Sequence, residues 1–407
     1  MSTWSGQRKF LTVLAFIGPT LIGILVFNIY PIIFNTYISF TDRNQFHPNP
    51  DCSVPLTDLL VPTCWAIFSE NAPSGVGQPF TIQDPLFTNY STLFGSFFTQ
   101  EVLIAFVKVL ICLLPLVIAS RINKQMGRDI DRNIPRWVVT AGGWIAVLIL
   151  GFILNGREAI TLVANAGDFF VVNFRSILFV ALSIPLFFLV GLTLALVLNV
   201  PHLPGRTFFR VALIVPWAAS TVAIMMSLVW KFFFQEQGTI NQVIRSLGGE
   251  GQLWLNDPVI AFGVIILANV WYSYPFFMVT ILGALQSVPK ELYEAAEVDG
   301  AGWWPRLFNI TLPLLRPAVI PAVVLSAIGA GGFQMFGTAW AITAGGPSRG
   351  AGTPGATELV MVYAYKQVFQ TSAYGKMGAF AVIMFILLFI ATLYSLRVSR
   401  LTRGAFQ

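Results

Sequence analysis

The residues whose types and spacing could do chemistry fall in two places. One is the polar stretch 286–316, which separates two long apolar runs and carries the densest acidic cluster of the chain, Glu291, Glu294, Glu297 and Asp299. Pro289 suits the first turn of a helix, where a missing N–H costs nothing. Glu291 and Glu294 sit early in that helix, where its dipole favours carboxylates. Gly300 is a stop signal. The spacing predicts a short helix, a Gly turn and a second short stretch, Ala301 to Ile310, that ends at Pro313. Ala295 and Ala296 are small enough to let another surface approach closely. No His, Asp or metal constellation converges anywhere in the chain, so a membrane enzyme is the least expected reading.

The second place lies inside an apolar run, at Asn269-Val270-Trp271-Tyr272-Ser273-Tyr274-Pro275-Phe276-Phe277. Asn269, Tyr272, Ser273 and Phe276 share one helical face. An amide in hydrocarbon is costly unless it is satisfied. Sugar hydroxyls would satisfy it, and an aromatic wall suits the apolar face of a sugar ring. A helix–helix contact, in which Asn and Ser act as glue, is an equal reading of the spacing.

The elements that must hold these residues are membrane spans. Mean hydropathy is +0.74 with 10% charged residues, which excludes an ordinary soluble domain. A bilayer core needs about 20 apolar residues per helix, and the chain supplies several such runs. The alternating segments of an outer-membrane barrel are absent. The expected fold is an all-α polytopic membrane protein with about eight transmembrane helices and both termini cytoplasmic. The spans run at about 10–34, 101–120, 137–154, 174–198, 211–233, 258–285, 317–342 and 377–396. Arg121, Lys124, Arg128, Arg132 and Arg136 mark one cytoplasmic loop, His202, Arg206 and Arg210 another, and Arg397, Arg400 and Arg403 the C-terminus. Loop 35–100, rich in Pro, Asn and Ser, falls outside, as do 155–173, 234–257 and 343–376. Loop 286–316 falls in the cytoplasm. An extracytoplasmic setting favours a Cys52–Cys64 disulfide, with two free thiols as the alternative. Two His and three Cys offer no metal site, and no phosphate-binding Gly-x-x-x-x-Gly-Lys-Ser/Thr loop occurs. The spans are almost free of carboxylates, which proton-driven pumps keep for use. The energy source is therefore expected outside this chain.

Glu294, Ala295, Ala296, Gly300, Ile310, Leu312 and Pro313 match every defined position of the EAA loop of ABC-importer permeases. Val288-Pro289, Leu292-Tyr293, Asp299-Gly300-Ala301 and Leu314-Leu315-Arg316-Pro317 look like the sugar-permease branch, and the chain resembles its maltose-type larger membrane subunit. The resemblance covers about 174–397 well, while the first three spans match only in topology. It implies an ABC importer type I permease core at 174–400, carrying the coupling loop 286–316 and preceded at 1–173 by three further spans. Glu294, Ala295, Ala296 and Gly300 would then contact a separate ATPase. The positions matching family sugar contacts are Trp217 and Thr221 (where the family example has Tyr and Ser), with Asn269, Tyr272, Ser273 and Phe276. Around Ile328-Gly329-Ala330-Gly331-Gly332-Phe333-Gln334 the pattern departs. Gln334 is the substitute for the family's polar contacts there, and the Gly run is equally a close helix packing.

The resemblance implies a non-catalytic subunit that binds no cofactor of its own, ATP and Mg being held by the partner ATPase. It implies as partners a second permease, two cytoplasmic ATP-binding subunits and an extracytoplasmic sugar-binding protein, all at the cytoplasmic (inner) membrane. Nucleic acid is not among them. The alternatives are an ABC permease for another small solute, such as glycerol phosphate or a polyamine, or a secondary transporter. An anionic solute would ask for Arg or Lys in mid-membrane, and the spans around the polar face offer none.

Overall fold

The computed structural model describes residues 6–44, 80–95, 97–126, 136–200, 203–218, 223–329, 331–350 and 353–403. Cys52, Cys64, Arg128, Arg132, His202, Ser220 and Thr221 lie outside the described residues. Among the described residues the regular structure is helical, with one isolated antiparallel bridge between Thr41 and Ile82.

Six helices are long and apolar enough to cross a bilayer: Thr12–Ile38, Gln100–Asn123, Asp168–Leu198, Pro258–Leu285, Trp303–Ile328 and Tyr374–Tyr394. Val138–Ile153 and Gly156–Val163 form a bent pair, turned through 81°, that makes up to one more span. The expected fifth span corresponds to two helices, Arg206–Ala218 and Ala223–Phe234, on either side of residues 219–222. The polytopic all-α fold is thus the one the sequence predicts, and its count of about eight is approximate.

Three local features differ from the sequence reading. The connection expected at 155–173 is largely helical: Asn155 takes a left-handed conformation (φ 51°), the helix Gly156–Ala164 follows, and the next span already starts at Asp168. The helix of the expected 317–342 span ends at Ile328, the described residues 331–336 form an irregular stretch, and the short helix Gly337–Thr343 follows. Single π-helical turns occupy Leu25–Ile29 and Leu307–Thr311, just ahead of Pro31 and Pro313. A proline within a helix lacks a donor and crowds the carbonyl four residues back, and a widened turn relieves that.

The chain forms two compact units. In the first, Met1–Leu93 with Ala364–Leu393, the Arg43 guanidinium lies 5.3–5.7 Å from the ring centroids of Phe34, Phe80 and Tyr374. The Asn89 amide donates to Ser39 O and Thr41 O, both at 2.9 Å. In the second, Phe94–Tyr363 with Tyr394–Gln407, the helices Asp168–Leu198 and Pro258–Leu285 pack closely. A Cβ on Gly191 would lie 2.6 Å from the Cβ of Phe277, so the backbones meet where only glycine fits. Phe187, Ala195, Leu198, Phe277, Met278, Ile281 and Leu315 fill one core of this unit. Phe179, Ile265, Ala339, Ile342, Leu359 and Val362 fill the other. In lipid, such contacts hold helices together by dispersion rather than by exclusion of water.

Candidate functional site: a polar pin, an aromatic pair and an exposed loop helix

The Pro258–Leu285 helix is started by Asp257, whose carboxylate accepts from the backbone N–H of Val259 and Ile260 at 2.8 Å, with Pro258 in its first turn. This helix carries no charged side chain. At 1.5 Å per residue, Asn269 stands about 16 Å from its Pro258 end.

The structure divides the predicted polar face in two. Asn269 is fully enclosed (0% exposed) and Ser273 is buried. The Asn269 amide donates to Gly331 O at 2.8 Å, and its carbonyl oxygen accepts from the Ser273 hydroxyl at 3.2 Å. Tyr272 and Phe276 are partly exposed. Phe276 faces Trp217, with ring centroids 6.2 Å apart and Trp217 42% exposed. Gln334 is exposed, beyond the buried Gly332. The structure therefore brings together Asn269 and Ser273 as one pair and Trp217 and Phe276 as another.

Sequence reasoning did not find what satisfies the amide. Its partner is a backbone carbonyl 62 residues away in the irregular stretch; the signal that could have exposed it is the Gly329–Gly332 run, which also fits ordinary helix packing. Nor did it find Tyr274, whose hydroxyl donates to Leu213 O at 3.1 Å and ties this helix to Arg206–Ala218. A third set surrounds the loop after Thr343. Arg175 donates to Pro354 O at 3.3 Å and to Gly355 O, Glu358 accepts from Gly355 N at 3.0 Å, and Tyr363 donates to Asp168 at 2.9 Å. Burial pushes the Tyr363 hydroxyl far above its ordinary value, and the neighbouring Asp168 carboxylate adds to that, so it stays a donor.

The loop helix spans Lys290–Val298, follows Pro289 and has no buried residue. Glu294 and Ala295 are exposed and Ala296 half-buried. Gly300, at φ +72°, turns the chain, and Ala301 N closes on Ala296 O at 2.8 Å. The Thr311 hydroxyl donates to Arg306 O at 3.2 Å, which leaves Tyr293 OH as donor to Thr311 at 3.0 Å. That bond fastens the loop helix to the span that follows. Arg306 and Glu297 add a solvent-exposed ion pair at 3.6 Å, the kind worth about 0–1 kcal/mol. Val298 is 88% and Trp304 63% exposed, so apolar surface stands open beside the acidic helix. Leu285 ends the helix about 24 Å from Asn269, and the loop helix begins after it at Lys290. Among the described residues no three His, Cys, Asp or Glu side chains come together as metal ligands.

Residues 188–404 match the model of the family described as the binding-protein-dependent transport system inner membrane component. The chain belongs to this family. It is a multi-pass inner membrane transport permease. Its curated relatives are maltose-type and other sugar permeases. The trehalose/maltose transport system permease protein MalF of Thermococcus litoralis is 34% identical over 59% of this chain and 78% of its own length. The sulfoquinovosyl glycerol transport system permease protein SmoG of Agrobacterium fabrum is 36% identical over 60% and 76%. The maltose/maltodextrin permease protein MalF of Klebsiella aerogenes is 34% identical over 57% of this chain, but the match spans only 46% of that longer protein. A crystal structure of a bacterial ABC transporter that imports the acidic polysaccharide alginate matches 69% of this permease and 98% of the compared chain, at TM-score 0.50 and 21% identity; that likeness concerns the fold.

Proposed function

We propose that the permease is the maltose-type larger membrane subunit of an ATP-driven sugar importer, taking maltose, maltodextrin or another oligosaccharide. The carrying observation is the loop helix Lys290–Val298, which has no buried residue, exposes Glu294 and Ala295, and is fastened at Tyr293 to the span behind it. A helix so placed is a handle for a soluble partner. Two ATP-binding subunits, which hold ATP and Mg, dock on it from the cytoplasm. Glu294 supplies the charged contact, Ala295 and Ala296 the close approach, and Gly300 the turn. A second permease completes the pathway, and a sugar-binding protein delivers substrate from outside. Both termini then lie in the cytoplasm, and the core at 174–400 carries coupling while 1–173 adds further spans.

The sugar-facing groups are Trp217, Tyr272, Phe276 and Gln334, with Thr221 beside them in sequence and Asn269 and Ser273 behind. Aromatic rings stack on the apolar face of a pyranose. The absence of charge from the whole Pro258–Leu285 helix favours a neutral sugar over glycerol phosphate or a polyamine. Uptake by proteoliposomes holding the complete assembly tests this. A neutral oligosaccharide should enter only with internal ATP and external binding protein, and should outcompete glycerol phosphate and spermidine. Uptake by this chain alone, without ATPase subunits, would overturn the reading.

A further inference from the structure

We infer that the loop 234–257 holds a carbohydrate subsite, which takes one pyranose ring of the sugar against the aromatic pair Phe234 and Trp254. This loop sits at the opposite end of the Pro258–Leu285 helix from the loop helix. The inference rests on the importer reading, under which that end faces outside, where sugar arrives. It adds a contact at the entrance to those expected around Trp217 and Phe276.

The loop is built from one buried residue outward. Asn241 has no exposed surface and uses both ends of its amide. Its nitrogen donates to Gln252 O at 2.8 Å and to Glu236 O at 3.1 Å. Its oxygen accepts from Gln252 N at 3.0 Å and from the Trp254 indole N–H at 2.9 Å. These bonds join the two arms of the loop and hold the Trp254 ring. Phe234 meets Trp254 edge to face, with centroids 6.4 Å apart, and is itself stacked on Trp230 at 6.4 Å. A cavity of about 200 Å³ opens beside the pair, with Gln235, Glu236, Leu255 and Asn256 also in its lining. Its chemistry is divided. The two rings and Leu255 offer an apolar wall, which suits the C–H face of a pyranose. Gln235, Glu236 and Asn256 are exposed, and among the described residues no hydrogen bond engages their side-chain ends. Amides and carboxylates are planar groups with paired polar atoms, which match the adjacent hydroxyls of a sugar. No Lys or Arg is among the lining residues, so an anion finds no partner there. Pockets for whole drug-sized ligands run to roughly 300–1,000 Å³, so this one has room for a single ring of a longer chain.

The test uses the complete assembly in lipid nanodiscs, with fluorotryptophan in place of tryptophan. The Trp254 fluorine signal is assigned by its loss in Trp254→Phe. Maltose and maltotriose, added without binding protein, should shift that signal, while sorbitol, a polyol with no ring, should leave it in place. Glu236→Ala with Asn256→Ala removes two exposed polar ends and no side-chain bond of the loop. It should raise the half-saturating sugar concentration for the shift about three- to tenfold, as expected for lost hydrogen bonds to a ligand. An unmoved Trp254 signal in the sugar-free variant shows that the loop is still folded. A signal that ignores both sugars, or answers sorbitol equally, would overturn the subsite. One that moves only when sugar-free binding protein is added would make the cavity a protein contact and overturn it as well. The importer reading is tested apart from this: it fails if the unaltered assembly shows no ATP hydrolysis stimulated by sugar-loaded binding protein, whatever the Trp254 signal does.

Discussion

Gly300 turns the loop helix at φ +72°, and a Cβ placed there meets no atom within 4 Å. The penalty for a side chain is therefore backbone strain alone, about 1–2 kcal/mol for an L-residue in the left-handed region, and less for Asn. Gly300→Val should lower ATP hydrolysis stimulated by binding protein roughly five- to tenfold, with Gly300→Asn close to the original. Equal loss in both variants would mean that bulk at the partner surface, not the turn, is what matters. This turn was legible in the sequence because its signals are local: a proline before the helix, an acid in the first turn and a glycine after it. The amide of Asn269 was legible only as a question. Its answer, Gly331 O, sits in another element, and no local pattern encodes a bond between them.

Helix boundaries followed the same logic. Spans with long apolar runs and basic flanks were readable, and the described helices Asp168–Leu198, Pro258–Leu285 and Tyr374–Tyr394 sit close to where hydropathy puts them. The break after Ile328 was not readable, because glycine in an apolar run reports close packing as often as an unwound turn. Gly156–Ala164 was missed because Arg157 and Glu158 lower its hydropathy to that of a loop. The contact between Asp168–Leu198 and Pro258–Leu285 gives a sharp contrast between two glycines. Gly191→Ala puts a Cβ 2.6 Å from Phe277 Cβ and 2.9 Å from the backbone N of Met278, while Gly283→Ala meets nothing within 4 Å. Overpacking at Gly191 should destabilise the protein by about 1–3 kcal/mol, read as a lower melting temperature in detergent. Gly283→Ala should leave it unchanged. Phe277→Ala keeps the offending Cβ and should not rescue Gly191→Ala; full rescue would show that the helices are not this close.

At the scale of the whole molecule, the chain places no acid in the Pro258–Leu285 helix and presents an acidic, partly apolar helix with no buried residue. Transport driven from within would need titratable groups in the spans. Transport driven from outside needs a handle, the role proposed above for Lys290–Val298. Glu294 is exposed on that helix, so reversing its charge alters the partner surface without disturbing a buried contact. ATP hydrolysis by the complete assembly, with sugar-loaded binding protein, is the most direct measurement of the central claim. Stimulation in the unaltered protein, reduced at least tenfold in Glu294→Lys with the fold intact, is the predicted result. Full stimulation in Glu294→Lys would contradict the coupling role of this helix.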